Sequence, residues 1–392
     1  MKRKNDILNE MSVKPRYIHL ASFAGNIGDV INHTGFYDSF DFDMSQVEQV
    51  EMRRFYKNCH ESQKLSFDNK LLEKINKSKM LILGGGGFFD VYWNDSNTGT
   101  TINMPKEFID SITVPVLVNA MGVHFDKRKK RGLNNFFEFF TDIKRRENWF
   151  ISIRNDGSLK RMQNIYGNEI IDGIQAVPDN GFMVENRYKG IHYGEQKWIG
   201  LSITNELLDP QYLQGVSLEQ FNLEIGAFIA ELLQYYCCIF FLHGPQDFST
   251  LMQIQNIVGR EAFRNKVIVA PYFPFGGKES VGEFLRYYSS CDVVVGMRFH
   301  SNVVAIANNI PVIGLAIHEQ ISDLFEEINL AASCVRVGEH DYINRLRYLL
   351  NETICKNHIY KSNEKQIMHE IRIKHSNYKR NVEDFIECQR NE

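Results

Sequence analysis

The chain has 392 residues, 43% of them hydrophobic and 24% charged, with a net charge of -3. That length suits two domains better than one core. The composition excludes a disordered chain, and the charge argues against a nucleic-acid binder that works through a strongly basic surface.

The opening stretch MKRKNDILNEMSVKPRY is polar and lacks the apolar segment of a signal peptide. No run approaches the ~20 apolar residues of a membrane helix, so a cytoplasmic protein is expected. YIHLASF (17–23) reads as the first strand. It leads into AGNIGD, where Gly25, Asn26, Gly28 and Asp29 make a strand-to-helix turn. Such glycines let backbone N–H groups approach an anion at a helix N-terminus. A plain turn with Asp29 as N-cap accounts for the same residues. MLILGG (80–85) is the next strand and runs into Gly84, Gly85, Gly86 and Gly87. A plain turn needs one or two glycines, so four predict a loop facing a ligand or an opposing domain. The pattern is neither GxGxxG nor GK[ST], so a dinucleotide or ATP phosphate cradle finds little support.

VPVLVNA (114–120) follows, then the basic cluster Lys127–Arg131. The cluster offers peripheral contact with anionic lipid at the inner face of the membrane; a solvated loop or helix start is the plainer reading. WFISIR (149–154) ends in Arg154, with Asp156 and Ser158 just beyond at a helix start. Asp156 or Ser158 can cap that helix, whereas a guanidinium at a strand end suits a carboxylate or phosphate. VPDNGFMV then places Asp179 and Asn180 at another strand-to-loop junction.

The polar segment ENRYKGIHYGEQK (185–197) reads as a domain boundary, which assigns a first domain to 15–184 and a second to 190–360. The second domain carries WIGLSI (198–203), CCIFFLH (237–243), KVIVAPY (266–272), DVVVGM (292–297) and IPVIGLA (310–316), with helical stretches between them. Near-continuous apolar strands are those covered on both faces of a parallel sheet. Their alternation with helices gives an α/β class with doubly wound sheets. Residues 361–392 read as a helix packing back on the domains. Seven cysteines without CxxC or Cys/His ligand spacing read as buried reduced thiols and argue against structural zinc.

DVVVG ends at Gly296, Arg298 and His300 follow, and Ser301-Asn302 begins a small-residue helix. With the chain extended through 300, Arg298 and His300 would point to the same side. These motifs, GNxGD, the Gly84–Gly87 loop, Arg154-Asn155-Asp156 with Ser158, PDN around Asp179 and GxRxH, together resemble the polysaccharide pyruvyl transferase family. The resemblance runs from about Gly25 to Leu330.

The resemblance implies a GT-B-like fold, two Rossmann-like domains facing across a cleft, the first on the acceptor side and the second on the donor side. It implies phosphoenolpyruvate as donor, with no cofactor and no metal. The acceptor would be a sugar of a cell-surface polysaccharide or a lipid-linked oligosaccharide, and the product a pyruvate ketal on two hydroxyls. Under it, Arg154 and Arg298 clamp the donor anions and His300 is the general acid/base. Gly25–Asp29 and Gly84–Gly87 line the first-domain wall, and Asp29 or Asp179 orients a hydroxyl. Asp156, Ser158 and Gly296 complete the binding set. One departure is Gln320, which stands where similar sequences often carry a lysine, close to His318. The runner-up is a GT-B glycosyltransferase using a nucleotide sugar. A non-catalytic glycan-binding derivative is the third reading, supported by Gln320 only.

Overall fold

The computed structural model describes residues 16–56, 59–185, 189–191, 195–206, 213–274 and 276–391. The N-terminal stretch 1–15 and parts of the boundary segment, 186–188 and 192–194, lie outside the described residues.

Strands β1 (Tyr17–Ala21), β2 (Val47–Glu51), β3 (Met80–Gly84), β5 (Val116–Met121), β7 (Trp149–Arg154) and β8 (Gln175–Val177) form a parallel sheet in the order β2-β1-β3-β5-β7-β8. Strands β4 (Phe89–Val91) and β6 (Val123–Phe125) pair beside it as a two-stranded ribbon. A second parallel sheet has the order β11-β10-β9-β12-β13-β14, from β9 (Trp198–Ser202), β10 (Cys237–Phe240), β11 (Val267–Val269), β12 (Val293–Gly296), β13 (Val312–Ala316) and β14 (Cys334–Arg336). The fold is therefore α/β with two doubly wound sheets. Strands β3, β5, β12 and β13 are buried at every residue, so their sequences read as near-continuous apolar runs, broken in β5 by the buried Asn119.

Both sheets reverse strand order at one place, between β1 and β3 in the first and between β9 and β12 in the second. Ligands bind at the carboxyl ends of strands at such switch points. The loops after β1, β3, β9 and β12 are the ones that carry Gly25–Asp29, Gly84–Gly87, Glu206 and Arg298.

Two helices tie the halves together. Helix α1 (Ile27–Ser39) places Ile27, Val30 and Ile31 in the core of the second sheet and Phe36 and Tyr37 against Met80 and Leu117 of the first. Each such apolar side chain contributes about 1.5–3 kcal/mol when fully buried. Helices α2 (Ser158–Tyr166), α3 (Phe299–Ala307) and α4 (Glu319–Glu327) carry contacts between the two halves, Arg161 with Asp323 and His300 beside Asp179 among them. The terminal helix α5 (Asn357–Asn391) buries Met368 and Ile371 in the second core, and Tyr378 and Val382 in a cluster with first-sheet residues. The Tyr378 hydroxyl donates to Asn119 Oδ1 at 2.8 Å, and Glu364 Oε1 accepts the Val312 N–H at 3.0 Å.

All seven cysteines are free. Cys237, Cys238, Cys291 and Cys334 are buried, but Cys59 is only partly buried and Cys355 and Cys388 are exposed on C-terminal helices, so the expectation of buried thiols fails for those three. Lys127–Arg131 spans a turn and the first residues of the helix Lys130–Lys144. Among the described residues no helix is long and apolar enough to cross a membrane.

Candidate active site

The turn after β1 is docked onto the second half of the chain. Gly25, at φ +80°, donates its N–H to Pro274 O at 2.7 Å, and the Ile27 N–H reaches His243 O at 3.1 Å. Asn26 Oδ1 caps α1 by accepting the Gly28 N–H at 2.8 Å. The sequence left an anion-facing turn and a plain capped turn equally open; these amides are engaged within the chain, as in the plain turn. Asp29 is not the cap either. It pairs with Arg53 at 2.9 Å, and Arg53 also donates to Ala24 O.

In the glycine loop, Gly84 and Gly85 take left-handed φ values of +98° and +86°. A β-carbon on Gly85 would lie 2.6 Å from Asn32 Oδ1, so this part of the loop is shaped by close packing. Gly84, Gly85 and Gly86 are buried. Gly87 is the part-exposed member and sits against His124, whose Nδ1 is 2.8 Å from Asp90 Oδ1.

Between the sheets lies a buried charge network. Arg154 Nε and Nη2 donate to Asp156 Oδ2 at 3.0 and 2.8 Å, and Nη1 donates to Asp179 Oδ2 at 3.2 Å. The guanidinium also stacks 4.4 Å above the Phe299 ring. With 2% of its side chain exposed, Arg154 is not a free anion clamp; it fixes two carboxylates. Burial opposes the charge on Asp156, yet Arg154, Arg161, His124 and the Ser158 hydroxyl hold its carboxyl far below the usual range. Ser158 opens α2 behind Gly157, the N-cap, and its N–H lies 3.3 Å from Asp156 Oδ1. Asp179 Oδ2 also accepts from Asn32 Nδ2 at 2.7 Å and lies 3.5 Å from His300 Nε2. Burial would raise Asp179, but His300, Arg154 and the Gly181 amide bring it down to about 2.

Helix α4 closes this network from the second half. Gln320 Nε2 donates to Asp156 Oδ2 at 2.8 Å, Asp323 pairs with Arg161 at 2.5 Å, and Glu327 Oε1 accepts the Gly157 N–H at 2.9 Å. Gln320 is thus a neutral donor to an already cation-rich carboxylate. His318, next to it, is pushed to about 3 by burial and by the nearby His124, Arg161 and Arg298.

Arg298 and His300 do not share an extended segment. Helix α3 begins at Phe299, with Arg298 as its extended N-cap, so the two side chains reach different partners. Arg298 pairs with Asp247 at 2.5 Å and Glu206 at 2.6 Å, and its side chain is 11% exposed. Its Nε–H is buried and has no acceptor among the described residues. Asp247 is itself held by the His243 and Gly244 N–H groups, at 2.8 and 3.2 Å. His243 is driven to about 3, mainly by burial, and is neutral. His300 lies against α1, where Gly28 leaves room for its ring, and near Asp179. Gly296 packs on Ser301 and Asn302.

Several buried polar atoms at these strand ends have no partner among the described residues, including Ser22 Oγ, Asn32 Oδ1, His33 Nδ1, Ser202 Oγ and Arg298 Nε. Each such group costs about 1–3 kcal/mol when left unpaired, and their concentration marks a site built to receive polar groups. Arg53, Asp90, His124, Glu206 and Asp247 were missed in the sequence. His124, in the middle of β6, and Asp247, seven residues beyond β10 at a helix start, carried no strand-end signal of the kind that singled out Arg154. Among the described residues no group of three or more His, Cys, Asp and Glu side chains is placed to hold a metal.

Residues 35–319 match the family model described as polysaccharide pyruvyl transferase. No curated protein matches the sequence. Among solved structures, the chain is similar to a glycosyltransferase from Rickettsia africae ESF-5, with TM-score 0.54, 11% identity, and coverage of 96% of this chain and 100% of that one. It is also similar to α,α-trehalose 6-phosphate synthase from Burkholderia multivorans, with TM-score 0.51, 9% identity, and coverage of 95% and 98%. A third similar structure is UDP-GlcNAc 2-epimerase from Methanocaldococcus jannaschii, with TM-score 0.50, 11% identity, and coverage of 87% and 93%. At such identity the likeness concerns the fold, which is GT-B-like.

Proposed function

The chain belongs to the polysaccharide pyruvyl transferase family, and from that premise we propose that it moves the pyruvyl group of phosphoenolpyruvate onto two hydroxyls of a sugar. That sugar would belong to a cell-surface polysaccharide or its lipid-linked precursor, and the product is a pyruvate ketal. The observation that carries this reading is the presence of acid–base and anion-binding groups from both halves of the chain. They are His300 beside Asp179, Arg298 with an Nε–H that has no acceptor among the described residues, and His124 with Asp90 next to the glycine loop.

Ketal formation needs a proton on the methylene carbon of phosphoenolpyruvate, which leaves cationic character at the adjacent carbon. One sugar hydroxyl bonds to that carbon and loses its proton. Phosphate then leaves, and the second hydroxyl closes the ring and loses its own. His300, held beside the Asp179 carboxylate, is proposed to deliver the first proton. His124, backed by Asp90 through Nδ1, is proposed to take a proton from the acceptor. Arg298 would bind a donor oxygen through Nε–H, and through Nη1 once Glu206 yields it. Arg154 acts indirectly, by fixing Asp156 and Asp179.

The test is incubation of the protein with phosphoenolpyruvate and a panel of acceptor glycans. Phosphate release is expected to match the appearance of a glycan carrying the mass of one pyruvate ketal. Stabilisation by UDP- or GDP-sugars, with no response to phosphoenolpyruvate, would overturn the reading in favour of a glycosyltransferase.

A further inference from the structure

Resting on that reading, we propose that the mouth of the hollow between Tyr56 and the loop 92–104 seats the ring of the acceptor sugar. Tyr56, Trp93, Asp95, Ser96, Thr101 and Asn103 border it.

The loop joins β4 to the helix Lys106–Asp110 and has no regular secondary structure. Long connections of this kind in compact domains are mostly functional. Its sequence, YWNDSNTGTTINM, sets aromatic rings among short hydroxyl and amide side chains. That mixture suits a sugar, whose C–H face packs on an aromatic ring and whose hydroxyls need short polar partners. The walls are preformed. Asn94 Oδ1 accepts the Gly132 N–H at 3.0 Å, Asn135 Nδ2 donates to Ser96 O at 2.7 Å, and Thr101 Oγ1 donates to Phe88 O at 2.8 Å. Preformed walls lower the ordering cost of binding.

The hollow itself has room for about one water molecule. It admits one hydroxyl and leaves the ring at the mouth. The Trp93 indole N–H is buried with no acceptor among the described residues, and a small shift of the ring would offer it to a sugar hydroxyl. Tyr56 hydrogen-bonds with Thr101 and lies within electrostatic reach of Asp90, Arg53 and Asp29. Asp90 is the residue that orients His124.

The experiment is saturation-transfer NMR on the full chain, with methyl galactoside, methyl mannoside and methyl glucoside as probes. Trp93→Phe keeps an aromatic ring and removes the N–H; Tyr56→Phe is the second variant, in case the first does not fold. Transfer to the ring protons of at least one glycoside is expected, with about tenfold weaker binding in Trp93→Phe. The thermal shift caused by phosphoenolpyruvate should be unchanged in both variants. No transfer from the wild type to any probe, or undiminished binding in both variants, overturns the subsite. Glycoside binding that depends on Trp93, without any response to phosphoenolpyruvate, would support the subsite and sink the donor assignment instead.

Discussion

A β-carbon on Gly28 would stand 2.5 Å from Nδ1 of His300. Real contacts do not come that close, so one of the two must move. The start of α1 is pinned by the Ile27 N–H to His243 O and by the Asn26 cap, which leaves the His300 ring as the part that shifts. Gly28→Ala should therefore misplace His300 at a cost of about 1–3 kcal/mol in stability. Ketal formation should fall by about 10²-fold, as for His300→Ala. A double-mutant cycle checks the route: Gly28→Ala should do little more on a His300→Ala background. Near-normal turnover in either single variant removes His300 from the chemistry.

Asp179 accepts from Asn32 and Arg154 and lies 3.5 Å from His300. Asp179→Asn leaves a buried guanidinium one carboxylate short, and removing one partner of a buried pair typically costs 3–5 kcal/mol. Turnover should fall further than donor affinity, because the variant acts through the placing of His300. The pH dependence has a definite sign. The folded carboxyl, at about 2, lies below its ordinary value of 3.8, so its contribution to stability is present above pH 4 and lost as pH falls towards 2. Acid unfolding curves should show that loss in the wild type and not in Asp179→Asn.

The legible parts of this chain and the illegible ones separate on physical grounds. Central strands such as VLVNAM and VIGLA are covered on both faces, and their sequence says so directly. Strand β2, VEQVE, lies at a sheet edge with no fully buried residue, so it has no apolar run to betray it. Arg298 and His300 were visible as polar residues beyond a strand, but not their divergence, because helix α3 starts two residues earlier than its small-residue pattern suggests. The pairing of Arg154 with both Asp156 and Asp179 was equally hidden. It depends on β7 and β8 being neighbours, and no local pattern encodes that. Gln320 read as a lost lysine; in the fold it reaches Asp156, which Arg154 and Arg161 already neutralise.

Glu206 holds the Arg298 Nη1 that, under the proposed function, a donor anion would need. Its carboxylate lies 2.6 Å from Arg298 Nη1 and is one-third exposed, so solvent screens the pair and its strength is about 1 kcal/mol. Glu206→Gln should release Nη1 and lower KM for phosphoenolpyruvate by roughly fivefold, with stability nearly unchanged. Arg298→Gln should raise KM instead. Steady-state phosphate release over a range of phosphoenolpyruvate concentrations separates the two, and an unchanged KM in both variants takes Arg298 out of the donor site.

Glu364 should govern stability near neutral pH. It sits on α5, 2% exposed, with Oε1 accepting the Val312 N–H and Oε2 without a partner among the described residues. Burial pushes its carboxyl up to about 8, against the weaker downward pull of the Val312 N–H and Lys361. The unfolded chain releases this proton near 4.5, whereas the folded chain keeps it until about 8. The stabilising contribution is therefore complete below pH 4.5 and declines as pH rises to 8. Across that window the wild type should lose roughly 2–4 kcal/mol from this group. Glu364→Gln keeps the acceptor for Val312 and has no proton to release, so its stability should stay level where the wild type declines. Chemical denaturation at pH 5, 6.5 and 8 reads the difference directly, and parallel pH profiles for the two proteins would show that Glu364 ionises in the fold as it does in water.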